Sequence, residues 1–212
     1  MTTRKLLPVG GVGAVLMIAL AVALGGGTPD SDASAAKVMS FYPAHQGREV
    51  ASALVLAASA PFLVFFAAAL ASTLWPRETG DRPVWELVLL GGGALAGGTI
   101  LLAAAIHFTL AGEAKHLSAA GLQVLNAVDG DSWVAWNAGF GVMMLGAGGS
   151  WLSRTATARW LAWTAVVLGI LLFIPFADFI ALLASAIWIL IVSVYASVGA
   201  EPRLALRAQP AT

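Results

Sequence analysis

From Leu6 to Gly27 the chain carries no charged residue, and apolar runs of this kind recur to its end. That feature constrains the fold more than any other. A helix needs roughly 20 apolar residues to cross about 30 Å of hydrocarbon. The stretches at 6–27, 50–75, 87–108 and 133–152 meet or approach that length. The last apolar block, 160–200, holds one charge, Asp178. As a single helix it would reach about 62 Å, twice the core thickness. Pro175 disfavours helix at its predecessor, and Asp178 suits the N-cap of a new helix. The block therefore divides into spans at 160–174 and 179–198.

Backbone groups in lipid must pair within the protein. A membrane barrel would need alternating apolar and polar residues, and these segments are apolar all round. The expected fold is all-α: a polytopic transmembrane helix bundle of about six spans. It forms one transmembrane domain over residues 1–212, with outer loops at 28–49 and 109–132. Five spans, with one long kinked final block, is the alternative.

Composition narrows function. The chain is 59% hydrophobic and 10% charged, against about 25% charged in soluble domains. Formal charge is zero, so no basic surface for nucleic acid is expected. The absence of cysteine excludes disulfides, thiolate nucleophiles and cysteine-held metals.

The charges orient the bundle. With the N-terminus in the cytoplasm, inside segments hold Arg4 and Lys5, Arg77 and Arg82, Arg154 and Arg159, and Arg203 and Arg207. Lys37, Arg48 and Lys115 fall outside. Positive-inside bias then places both termini in the cytoplasm and favours an even span count. Trp75, Trp85, Trp151, Trp160 and Trp163 fall at inner boundaries, Trp133 and Trp136 at an outer one, and Trp188 mid-span. Thr2 to Lys5, the first apolar run and Ala33-Ser34-Ala35 have the outline of a secretory signal peptide. The run is longer than such signals need and the spacer is long, so an uncleaved first helix is expected.

Small residues load spans three and four. Gly93 and Gly97 form a GxxxG, and Gly141, Gly146 and Gly149 cannot share one ridge. Close packing against two neighbouring helices is the expected use, with homo-oligomerisation as the other. Asn137, the most polar residue of span four, is expected to bond another helix. Pro61 is expected to kink span two. Leu122, Leu125 and Val128 recur at helical spacing, so a short interfacial helix is expected over 118–128. Asp129-Gly130 would close it, and Asp131 would cap span four.

His45, His107 and His116 all map to the outer side. With Glu49, Asp129 and Asp131 they are candidates for a metal or proton site. Their spacing matches no recognised ligand motif, and they are not expected to converge as a trio. No P-loop, GxSxG or HExxH is present, and no paired intramembrane aspartates.

Two segments carry a resemblance. Phe41-Tyr42-Pro43-Ala44-His45, with Glu49 to Leu70 behind it, resembles the start of span two in an uncharacterised family of polytopic six-helix membrane proteins of high-GC bacteria. Arg159-Trp160-Leu161-Ala162-Trp163, Gly169 and the stretch from Trp188 to Tyr195 resemble the last two spans of that family. The resemblance implies a bacterial plasma membrane and no assigned activity. The expected function is a non-enzymatic, multi-pass membrane protein that binds a partner protein or an apolar or lipid molecule, with no cofactor. A small-molecule transporter or channel is the alternative, and outer-face metal or haem binding through the histidines a further one. A polar cavity through the bundle would favour transport, and clustered histidines the metal.

Overall fold

The computed structural model describes residues 3–74, 84–153 and 159–198. Arg77, Arg82, Arg154, Arg203, Arg207 and Trp75, used above to orient the chain, lie outside the described residues, as do the side chains of Arg4 and Lys5. The described residues form seven helices: α1 Thr3–Gly25, α2 Ala35–Leu74, α3 Val84–Glu113, α4 Ala119–Asp131, α5 Trp133–Leu152, α6 Arg159–Leu171 and α7 Asp178–Val198. The fold is all-α. Helices α1, α2, α3 and α7 are long and apolar enough to cross a membrane, and the chain is membrane-embedded. The fifth is glycine-rich and 20 residues long. The sixth has 13 residues, short of a full span.

Six helices close a ring in the order α1, α2, α3, α5, α6, α7, with α7 returning to α1. The core lies inside it, built on Leu63, Phe66, Ile100, Met143, Met144 and Trp188. Trp188 is tied down by two contacts. Its Nε1 donates to the Leu161 carbonyl at 3.0 Å, and its ring meets Trp151 edge-on at 5.8 Å.

Glycine sets how closely the helices approach. Gly93 faces Ala67, and Gly97 faces Ala60 and Val64, both on α2. Gly92 lies against the Met143 backbone of α5, and Gly146 against the Leu89 backbone of α3. Gly141 faces the Gly169 carbonyl of α6 and the Phe173 ring just beyond it, and Gly148 faces Val166 of α6. The glycines of α5 thus serve two neighbours, in two rows. Gly91 and Gly98 meet no other helix.

Several boundaries differ from the sequence reading. Residues 35–49, expected as part of a loop, extend α2 to 40 residues, about 60 Å at 1.5 Å each. Val38, Tyr42 and Glu49 recur on one helical face and are buried. With Leu110, Ala111 and Leu122 the first two form a second small core, under α4. The break in α2 falls not at Pro61 but at His45 (φ −118°, ψ 15°), two residues after Pro43. The loop expected at 109–132 is mostly helix: α3 runs to Glu113, and α4 starts at an N-cap Ser118 whose Oγ accepts from Gly121 N–H. The fourth helix continues through Asp129-Gly130 to Asp131 instead of closing there. A Cβ at Gly130 would stand 2.8 Å from Ser31 Cβ, so glycine serves a close approach here rather than a turn. Asp131 belongs to α4. Ser132 precedes α5 without a side-chain cap bond. Pro175 and Asp178 do mark the α6–α7 break, where Phe176 takes a left-handed φ of 72° and stands 97% exposed.

Candidate functional site

The α4 end of the bundle holds an unusual concentration of buried charge. Glu49 on α2 is fully buried and His107 on α3 nearly so. Glu49 Oε1 accepts from Arg48 Nη2 at 2.7 Å and Nε at 3.0 Å. Its Oε2 lies 3.1 Å from His107 Nε2. The other ring nitrogen, Nδ1, lies 2.8 Å from Asp129 Oδ2 on α4. One imidazole thus bridges carboxylates from two other helices. The Tyr42 ring packs edge-on against His107 at 6.1 Å. Its hydroxyl donates to Asn126 Oδ1 at 3.2 Å, and Asn126 Nδ2 donates to the Asp30 carbonyl at 2.8 Å. Beside them, Ser52 Oγ donates to the Ala21 carbonyl of α1 at 2.8 Å. Gly26, left-handed at φ 62°, ends α1 against the Arg48 guanidinium.

Of the six sequence candidates, the structure joins Glu49, His107 and Asp129, while Asp131 is exposed at the end of α4. His45 stands apart: its Nδ1 lies 2.9 Å from its own Phe41 carbonyl, and its ring stacks on Phe41 at 4.4 Å. His116 is exposed in the turn after α3. In the Glu49–His107–Asp129 set each ring nitrogen faces a carboxylate oxygen. Among the described residues no group of three such side chains is placed to hold a metal ion.

Tyr42, Arg48 and Asn126 join this set without being candidates from the sequence. Their signal was present. Val38, Tyr42 and Glu49 on α2, and Leu122, Asn126 and Asp129 on α4, fall at helical spacing on one face each. The polar members of each face sit where the two helices and α3 meet.

The second feature is an apolar cleft of about 450 Å³ between α1, α5 and α7, with Leu63 of α2 at its base. Ligand pockets commonly span about 300–1,000 Å³. Val22 and Phe179, 65% and 67% exposed, flank its mouth. The lining residues are Ala, Val, Ile, Leu, Phe and Trp. Their only polar side-chain atom is Trp136 Nε1, buried and without a hydrogen-bond partner among the described residues. Next to it Asn137 Nδ2 donates to Asp178 Oδ2 at 3.0 Å, joining α5 to α7.

These two features can do different chemistry. The charged set can hold and exchange a proton, and the cleft can hold an apolar chain. The chain matches no family model, no curated protein and no solved structure.

Proposed function

We propose that this chain is a multi-pass protein of a bacterial plasma membrane that binds the acyl chain of a membrane lipid in the cleft between α1 and α7. One observation carries the reading: the cleft is lined almost wholly by apolar side chains, with Val22 of α1 and Phe179 of α7, two helices suited to lipid, exposed at its edge. Lipid offers no hydrophobic drive for an apolar guest, so retention rests on dispersion contacts with a preformed surface. The aromatic rings of Trp136, Phe140 and Phe179 supply large, rigid contact area.

The expected test uses membranes carrying a lipid with a photoactivatable acyl chain. Crosslinks are expected on α1, α5 and α7 at the cleft lining. Ala186→Trp fills the cleft and lowers that labelling by about tenfold, the effect of about 1.4 kcal/mol. Leu101→Trp, on an exposed face of α3, leaves it unchanged. Equal labelling in both variants would show ordinary surface lipid and remove the proposal.

Six spans with both termini cytoplasmic complete the reading. The paired basic residues at the expected inner segments support it. Reporter fusions at Thr212 and after Ala35 are expected on opposite sides of the membrane, Thr212 inside. The same side for both contradicts the six-span arrangement.

A further inference from the structure

The position of His107 supports an inference independent of the lipid reading. We infer that Glu49, His107 and Asp129 form a proton-dependent latch that fastens α4 onto α2 and α3. An imidazole carrying both N–H protons donates to both carboxylates at once. A neutral ring donates to one only and turns a lone pair toward the other. The contacts, 3.1 Å to Glu49 and 2.8 Å to Asp129, suit the doubly protonated ring.

The charge balance agrees. The charged and titratable groups facing His107 are Arg48, Glu49 and Tyr42 from α2 and Asp129 from α4. With an imidazolium and a neutral phenol, two positive charges meet two negative ones. Removing the ring proton leaves one negative charge in excess, in a place where Glu49 is fully buried. The latch is therefore closed at low pH and weakened as pH rises through the histidine's titration. The Tyr42–Asn126 bond and the small core around Leu122 remain, so α4 loosens without the bundle coming apart. Helix α4 is the moving part because it is short and packs mainly on α2 and α3 without being part of the ring.

The cysteine-free sequence makes the test clean. In the full chain in detergent, Ala111→Cys puts a single thiol in the buried seam beneath α4, and Ala119→Cys gives an exposed reference thiol. Both are labelled with a small methanethiosulfonate reagent from about pH 5 to about pH 9, across the range where histidines titrate. The ratio of buried to exposed labelling rates, read against the same two thiols on a His107→Gln background, removes the thiols' own ionisation. It is expected to rise about tenfold or more, the scale of one charge-assisted hydrogen bond. On a His107→Gln background the ratio is expected to be flat. A flat ratio in the parent overturns the latch, and so does a rise that survives His107→Gln. If His107→Gln does not fold, Asp129→Asn replaces it. That variant keeps an acceptor but removes a charge, so the rise shrinks, and an undiminished rise overturns the proposal.

Discussion

Glu49→Leu is expected to destabilise the protein by about 3–5 kcal/mol, the cost of removing one partner from a buried charged set. The substitution leaves His107 Nε2 facing hydrocarbon and takes from Arg48 the carboxylate held by two of its nitrogens. Glu49→Gln keeps the shape and one acceptor oxygen. Its loss is expected to be smaller, about 1–3 kcal/mol. Lys37→Ala is the control. Lys37 and Asp30 approach only to 3.8 Å with both side chains mostly exposed, so its effect stays within about 0.5 kcal/mol. Unfolding in detergent followed by tryptophan fluorescence ranks the three. A Glu49→Leu protein as stable as the parent would mean that the buried set holds nothing together.

The other large effect belongs to the α3–α5 seam. Gly92→Ala and Gly146→Ala each place a methyl against the backbone of the facing helix, Met143 and Leu89 respectively. Backbone cannot swing aside as the end of a side chain can, so the helices must part. Each is expected to cost about 1–3 kcal/mol or more despite the gain in helix propensity. Gly97→Leu, which meets the Val64 side chain first and the Ala60 carbonyl behind it, is expected in the same range. Gly91→Ala and Gly98→Ala add a methyl into open space. They are expected to be neutral or to gain up to about 1 kcal/mol, the propensity difference. The same detergent unfolding separates the two classes. Equal behaviour of Gly92→Ala and Gly98→Ala would contradict the close approach of α3 and α5.

The apolar runs made the fold class legible because lipid leaves the backbone no partner but itself. The break at Pro175 and Asp178 was legible for the same local reason that ends any helix there. What stayed hidden lies where the chain leaves the apolar runs. The polar stretch 28–49 resembles a loop in composition, yet the face formed by Val38, Tyr42 and Glu49 is covered by α3 and α4 and stays helical. Gly130 carries the same letter as a helix stop, but it marks a place where Ser31 crosses close by. Nothing local distinguishes the two uses. His107 was visible as a polar residue at the end of an apolar run. Its two carboxylate partners lie 58 residues before it and 22 after it, a pairing that only the docking of three helices creates. The cleft could not be read from the chain at all, since it is space left between α1 and α7 rather than a pattern within either.

Whether the space between α1 and α7 holds a lipid chain is read from native mass spectrometry of the full chain, extracted from its membrane in a mild detergent. One lipid is expected to be retained per chain in the parent and lost in Ala186→Trp, with the Leu101→Trp protein like the parent. A parent that flies free of lipid, or an Ala186→Trp protein that retains the same lipid as the parent, contradicts it.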